Sequence, residues 1–180
     1  PLNPDLKHLR ALVRRLTDLQ ANYRQEGNRL TSGEKDDWVI RDISVHLEYL
    51  KASIEATEAE IQNFTNQTPG LKAKQELLVS IPGVGKKTSA RLLAEIGEIN
   101  RFENAPQLAA YAGLNPKGFS SGSSVHKKTR ISKQGRNELR ACLYMPAIVA
   151  MTHNPVVRAL KERLQKKQLP TMAIIAACMR

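Results

Sequence analysis

The chain has 180 residues, 41% of them apolar, which is enough for a hydrophobic core, and a formal net charge of +11. No apolar stretch approaches the roughly 20 residues of a membrane-spanning helix and no signal-peptide pattern opens the chain, so the sequence argues against a membrane protein and predicts a cytoplasmic one. The cysteines Cys142 and Cys178 lack the paired spacing of zinc sites and disulfide frameworks, and are predicted to be reduced core residues.

The basic excess lies entirely in the C-terminal part of the chain. Residues 1–66 hold 9 of the 28 Lys and Arg and 11 of the 17 Asp and Glu, which leaves 19 basic and 6 acidic side chains in residues 67–180, a net charge of +13. Because phosphate neutralisation with counterion release drives affinity for nucleic acids, this distribution favours a polyanionic partner. A basic surface that serves only solubility is the alternative.

A long helical hairpin is predicted for residues 1–66. Apolar and aromatic residues recur at alternating spacings of four and three from Leu2 to Leu30 and again from Ile40 to Phe64, with a polar turn at residues 31–37. Such narrow stripes are typical of helices that pair in coiled coils. The hairpin either braces the rest of the protein or forms a homo-oligomer.

Residues 71–180 are predicted to form a compact domain of short helices, so that the fold class is mainly α. Residues 114–131 are rich in Gly, Ser and Lys and are predicted to be an exposed loop, with no convincing strand pattern. Gly97, Gly113 and Pro146 mark two helix ends and a kink. The predicted helices are Lys72 to Ser80, Lys86 to Ile96, Ala105 to Ala112, about Lys133 to His153, Asn154 to Lys166, and one from Leu169 onward.

The segment Ile-Pro-Gly-Val-Gly-Lys-Lys lies between two predicted helices and resembles the helix-hairpin-helix motif of DNA repair and junction-processing proteins. Glycines permit a tight turn with close backbone approach, and the next helix offers free N–H groups and a positive dipole end to a phosphate. A glycine-rich linker without binding function is the alternative. The predicted phosphate-binding residues are Gly83, Val84, Gly85, Lys86 and Lys87.

A second basic segment follows, with seven cations and one acid between Lys117 and Arg140. If a helix begins at Lys133, then Lys133, Arg136 and Arg140 share one of its faces because they follow three-and-four spacing. The residues predicted to bind nucleic acid in this segment are Lys127, Lys128, Arg130, Lys133, Arg136 and Arg140.

A serine-rich stretch precedes these cations. A serine hydroxyl attacks a phosphodiester only when it is activated and when the charge that develops on the phosphorus group is stabilised, which nearby Arg and Lys could do. Taken alone, Ser-Ser-Gly-Ser-Ser is more typical of a flexible loop than of an active site.

Residues 77–179 resemble the C-terminal domain of the Piv/MooV-type DEDD transposases and invertases. The resemblance rests on Ile-Pro-Gly-Val-Gly, Leu-Ala-Ala-Tyr-Ala-Gly-Leu-Asn-Pro, Ser-Ser-Gly and Ile-Ser-Lys-x-Gly-x-x-x-Leu-Arg, in the order and spacing of the family. The N-terminal hairpin resembles the coiled-coil segment that joins this domain to the RuvC-like domain of these enzymes.

The resemblance implies a composite active site. In such enzymes four acidic residues of the RuvC-like domain bind Mg²⁺, and a serine of the C-terminal domain joins covalently to DNA. The family's serine stands before a glycine in the loop after the Gly-Leu-x-Pro turn, which corresponds to Ser121, with Ser120 as its near rival. The members encoded by insertion sequences are further implied to use a structured bridge RNA that selects donor and target DNA.

The acidic domain of the family is missing from this sequence. Residues 67–180 contain no Asp and six scattered Glu, too few for a two-metal nuclease centre. The four histidines show no metal-ligand spacing, so no metal is predicted on this chain and Mg²⁺ is expected in the missing domain. The chain opens at Pro1 and ends at Arg180 within an apolar helical run. We therefore interpret it as a fragment that binds DNA but is inactive alone.

Three other functions compete with this interpretation. The chain could be a helix-hairpin-helix DNA-binding module with an inert serine loop, a tyrosine recombinase that uses Tyr111 or Tyr144, or a structural protein whose heptads are its main function. The tyrosine alternative lacks a recognisable Arg-His-Arg set, and the +13 segment argues against a purely structural role. His126, near the serines, is either a proton acceptor or a solvated loop residue.

Overall fold

A computed structural model describes residues 3–121 and 125–180, with the side chains of residues 119–121 and 125–129 outside the description. The described residues are mostly helical, which confirms the mainly α class. No described helix is both long enough and apolar enough to span a membrane. The helices are α1 Pro4–Thr31, α2 Asp37–Gln67, α3 Pro69–Val79, α4 Lys86–Ile96, α5 Ala105–Tyr111, α6 Asn137–His153, α7 Pro155–Lys166 and α8 Thr171–Cys178, with a 3₁₀ turn at Ile99–Arg101.

The chain divides into two compact units, and the boundary between them falls inside α3. The first unit takes in the described residues up to Ala73, and the second is Lys74–Arg180.

In the first unit, α1 and α2 pack along each other as an antiparallel pair. His8 contacts Phe64 with ring centroids 4.6 Å apart near one end, and Glu26 approaches His46 within 3.6 Å near the other. Their contact face is apolar because heptad-spaced residues of both helices are buried there. The buried apolar residues are Leu6, Leu9, Val13, Leu16 and Leu19 on α1 and Ile43, Leu50 and Ile61 on α2.

The second unit has two adjoining apolar clusters along α6. The first joins Leu92 of α4, Leu114 after α5 and Leu139 of α6. The second joins Met151 near the end of α6 to Ile174 and Ile175 of α8, with side chains of α7 packed against it. Since α6 contributes to both clusters, it is the central helix of this unit.

The prediction of an exposed loop at residues 114–131 was wrong. Pro116–Ser121 (β1) and Val125–Ile131 (β2) pair as an antiparallel hairpin, with a register shift between Lys117 and Phe119. The β-branched residues of β2 favour a strand, and cross-strand hydrogen bonds offset the turn preference of Gly and Ser. The polar composition concealed this pattern because neither strand shows a regular apolar alternation.

The start of the helix predicted at Lys133 was also wrong. The helix α6 begins at Asn137, and Lys133 has a left-handed backbone with φ of 55°. A left-handed residue interrupts a right-handed helix, so the chain turns at Lys133 before it enters α6. Lys133 and Arg136 therefore precede the helix that carries Arg140, and the three do not share a helical face.

Candidate functional site

The β-hairpin carries both candidate serines at its far end. Ser121 is the last residue of β1 and pairs with Val125, while Ser120 pairs with His126. The side chains of these four residues lie outside the described part of the chain, as do those of Lys127 and Lys128. What the structure does describe in detail is how the opposite end of the hairpin is held.

Two loops meet where the hairpin joins the helical domain, and we call residues 111–115 and 132–136 the hairpin base. The first loop follows α5 and leads into β1, and the second leaves β2 and leads into α6. Backbone hydrogen bonds beyond the strand pairing join them, so the base is a defined structure rather than two independent linkers. Ser132 N–H donates to Asn115 O at 2.8 Å, Lys133 N–H to Gly113 O at 3.0 Å, and Arg136 N–H to Tyr111 O at 2.8 Å.

Two glycines make this close approach possible. A Cβ on Gly135 would lie 2.4 Å from Tyr111 O and 2.5 Å from Gly113 N, distances at which backbone must move. Gly113 has φ of 71°, and a Cβ there would lie 2.8 Å from the Arg140 guanidinium. Both positions therefore require glycine, Gly135 for space and Gly113 for space and conformation.

The Arg140 side chain fastens the hairpin base to α6. Its Nη1 donates to Ala112 O at 2.9 Å, and its Nη2 donates to Asn137 Oδ1 at 2.9 Å. The planar guanidinium thus satisfies a loop carbonyl and a residue of the first helical turn at the same time.

Arg136 is engaged in a similar way. Its Nη1 lies 3.4 Å from Oε2 of Glu95, a carboxylate of α4 whose side chain is only 5% exposed. The Arg136 guanidinium carbon also lies 5.6 Å from the centroid of the Tyr111 ring. The guanidinium carbon of the exposed Arg101 lies 4.3 Å from the same centroid. Arg136 thus pairs with the Glu95 carboxylate and ties the hairpin base to α4.

The glycine-rich turn between α3 and α4 packs against α6. Val84 N–H donates to Ile81 O at 3.0 Å, and Gly83 has φ of 104°, as in a turn with Pro at its second position. A Cβ on Gly83 would lie 2.9 Å from Pro146 O. Gly85 is the N-cap residue of α4 and makes no side-chain capping hydrogen bond. The next two residues, Lys86 and Lys87, are exposed. The helix-hairpin-helix assignment stays a prediction.

The predicted nucleic-acid-binding cations therefore fall into two groups. Lys86, Lys87, Arg130 and Lys133 are exposed, whereas Arg136 and Arg140 are partly buried and engaged with protein groups. The second group was assigned from charge and spacing alone, which do not reveal a buried carboxylate or a loop carbonyl nearby.

Residues 75–162 match the Transposase IS116/IS110/IS902 family, and this match includes the glycine-rich turn, the hairpin and its base. The resemblance noted in the sequence is thereby confirmed. This part of the chain belongs to the IS116/IS110/IS902 transposase family.

The relatives of this transposase domain include an inverting protein as well as transposases. The pilin gene-inverting protein of Moraxella bovis is 41% identical over 129 residues, which are 71% of this chain and 40% of that protein. The IS110 protein of Streptomyces coelicolor is 32% identical over 71% of this chain and 30% of its own length. The IS1111A transposase of Coxiella burnetii is 36% identical over 53% of this chain and 24% of its own length. The chain thus spans well under half of these relatives.

Both cysteines of the transposase domain are free and partly buried. Burial raises the pKa of the Cys142 thiol to about 11, with a smaller opposing effect from Arg91, and the thiol donates to Thr88 O at 3.8 Å. Burial also raises the pKa of Cys178. A thiol held in its neutral form is a poor nucleophile, so these positions fit packing better than chemistry.

The sequence analysis missed Glu95 and the role of Gly135. Glu95 lies in the apolar run Leu-Leu-Ala-Glu-Ile of α4, and an acid on the buried side of a helix is a signal for a buried partner. Gly135 was part of a quoted motif, but no local pattern distinguishes a glycine needed for close approach from one needed for a turn.

Proposed function

We propose that this chain is the DNA-binding and nucleophile-bearing part of a transposase that catalyses site-specific DNA recombination. The observation that carries the proposal is the hairpin base, because the motif residues that define the domain hold the β-hairpin that ends in Ser120 and Ser121. In this scheme the Ser121 oxygen forms a bond to phosphorus while the bond from phosphorus to a deoxyribose oxygen breaks, and the proton that the serine loses is balanced by the one that the leaving oxygen takes up. The product is a covalent protein–DNA ester that a second strand can resolve.

DNA is held through its phosphates in this proposal. Residues 67–180 carry a net charge of +13, and we assign phosphate contacts to the exposed side chains of Lys86, Lys87, Arg130 and Lys133. Such contacts fix the register of a duplex without reading its sequence. Sequence choice is therefore assigned to another component, and we propose a structured bridge RNA for it.

Metal chemistry is assigned to the acidic domain. Within the described residues, His, Cys, Asp and Glu form no group of three or more that could hold a metal ion, so these residues do not fit Mg²⁺ and no step assigned to them depends on it. We propose that Mg²⁺ binds in the RuvC-like acidic domain of the full-length protein, and that the 180-residue chain alone binds DNA without recombining it. Strand exchange by the purified chain would contradict this.

The helical hairpin of the first unit is proposed to form a homo-oligomer. The outer surface of α2 exposes Trp38 at 71%, Val45 at 62% and Tyr49 at 64%. Their spacings of seven and four place them on one side of the helix. Large exposed apolar residues in one stripe are typical of a protein–protein interface, and a second copy of this chain offers the same stripe.

A non-catalytic DNA-binding module is the second candidate function. The turn between α3 and α4 favours it, since Gly85 begins α4 without a side-chain cap and exposed lysines follow, whether or not the serines react. A tyrosine nucleophile is less favoured, because the Tyr111 hydroxyl is buried and Tyr144 is packed in the second apolar cluster.

The decisive experiment replaces each serine in the full-length transposase with alanine. Covalent protein–DNA adducts that survive denaturation and recombined products are measured together, with DNA binding as a third readout. We expect Ser121→Ala to abolish adducts and products while binding persists. Ser32→Ala, at an exposed serine in the connection after α1, is the matched control and leaves all three unchanged. Adducts that persist in both Ser121→Ala and Ser120→Ala would establish the non-catalytic module instead.

A further inference from the structure

We propose that Arg140 and Arg136 are positioning residues for the serine hairpin rather than DNA contacts. This inference rests on the proposed function, because it assigns to these arginines the task of fixing where the hairpin leaves the domain. Their sequence spacing and charge suggested phosphate binding, but their contacts point into the protein.

Arg140 acts as a fork between two segments, the loop that leads into β1 and the start of α6. One arm reaches Ala112 O at 2.9 Å, in the loop that leads into β1, and the other reaches Asn137 Oδ1 at 2.9 Å, at the start of α6. The guanidinium also occupies the space beside Gly113 that a Cβ would fill. A lysine carries the same charge but a single nitrogen, so it can serve only one of these acceptors well.

Arg136 connects the opposite loop to α4. Its backbone N–H donates to Tyr111 O and its side chain pairs with the buried Glu95 carboxylate. Because the Glu95 carboxylate is only 5% exposed and fixed on α4, this ion pair holds the Arg136 side chain at one place. With both arginines satisfied, the two loops of the hairpin base are fixed to α4 and α6.

The functional consequence follows from the length of the hairpin. Five residues of β1, Pro116 to Ser120, separate the base from Ser121, so a small rotation of the base displaces the end of the hairpin by a larger amount. Nucleophilic attack tolerates little displacement, and an error of about 1 Å can reduce a rate about 100-fold. Loss of either arginine is therefore expected to slow attack on DNA without weakening the binding of DNA.

The test compares Arg140→Lys and Arg140→Ala with Arg130→Ala, which removes an exposed cation of β2. In the full-length transposase we measure the dissociation constant for a duplex that carries the element end, its dependence on salt, and the rate of adduct formation. In the 180-residue chain we measure amide hydrogen exchange at Ser132 and Lys133, together with thermal unfolding.

We expect both Arg140 variants to bind DNA within about twofold of the parent with an unchanged salt slope. Their adduct rates fall by about 10- to 100-fold, and the Ser132 and Lys133 amides exchange faster. For Arg130→Ala we expect weaker binding of DNA, a salt slope of DNA binding reduced by about 0.9, and unchanged amide exchange at Ser132 and Lys133.

Arg140→Lys separates charge from geometry, and it serves as the test if Arg140→Ala fails to fold. An Arg140→Lys enzyme with the parent's adduct rate would overturn the inference, as would a loss of salt slope in Arg140→Ala equal to that in Arg130→Ala. Failure of the serine assignment is distinguishable, since adducts would then persist in both serine variants. Even then amide exchange tests the positioning role of Arg140. Unchanged exchange at Ser132 and Lys133 in an Arg140 variant refutes that role by itself.

Discussion

Replacement of Gly135 by alanine tests the hairpin base directly. The added Cβ would lie 2.4 Å from Tyr111 O and 2.5 Å from Gly113 N, and both neighbours are backbone atoms that cannot rotate away. The two loops must therefore separate by several tenths of an ångström or more. That movement lengthens the bonds from Arg136 N–H to Tyr111 O and from Lys133 N–H to Gly113 O, which are 2.8 and 3.0 Å in the native protein.

The free energy of unfolding should fall by about 2–6 kcal/mol. Overpacking of a tight site costs about 1–3 kcal/mol, and each weakened hydrogen bond adds about 0.5–1.5 kcal/mol. Against a typical domain stability of about 5–15 kcal/mol this is a large fraction. The change in the free energy of unfolding is measured by urea unfolding of the 180-residue chain, with a signal from the second unit as the probe.

The matched control is Gly118→Ala in β1, where, chain neighbours aside, no heavy atom of the described part of the chain lies within 4 Å of the added Cβ. We expect that variant to change the free energy of unfolding by less than about 0.5 kcal/mol, as is usual for exposed positions. If Gly135→Ala is as stable as Gly118→Ala, the close approach of the two loops does not exist and the hairpin base is wrongly described.

Three further predictions concern other parts of the chain. Gly83→Ala should destabilise the second unit by about 2–4 kcal/mol in urea unfolding, because Gly83 has a φ of 104° and an added Cβ would lie 2.9 Å from Pro146 O. The control is Gly85→Ala, which should not cause this loss of stability because Gly85 has a φ of −90° and open space around it. The folded-state pKa of Cys142, about 11, exceeds its ordinary 9.0, so this thiol contributes stability below pH 9 that is lost as pH rises toward 11, and this loss should be smaller in Cys142→Ser. Trp38→Glu should lower the oligomer mass measured by light scattering and leave the far-ultraviolet circular dichroism unchanged, because Trp38 is 71% exposed and supports no core. An unchanged mass would show that this face of α2 is not the oligomer interface.

Helices with strong periodicity or clear ends could be predicted from the sequence. The bounds of α4 agree with the prediction at both Lys86 and Ile96, because Gly85 and Gly97 punctuate an apolar run with helical spacing. The two long helices of the first unit followed from their heptads. In these segments local propensity and tertiary packing favour the same structure.

The β-hairpin and the start of α6 could not be predicted in the same way. The strands are polar and short, and they are stabilised by pairing with each other. The left-handed conformation of Lys133 depends on the loop that it contacts, 20 residues earlier in the chain. The engagement of Arg136 with Glu95 is likewise a contact across 41 residues, and charge patterns carry no information about such partners.

The hairpin also limits how its two strands can vary in length. From Pro116 to Ser121 there are five residue steps, which in an extended strand span about 17 Å. The strand β2 has seven residues against six in β1, and the pairing includes a register shift between Lys117 and Phe119. A further insertion in one strand alone would have to be absorbed in the same way. One extra residue between the base and the serines would exchange the strand faces on which Ser120 and Ser121 stand. The number of residues between the base and Ser121 therefore sets how far along the hairpin Ser121 lies.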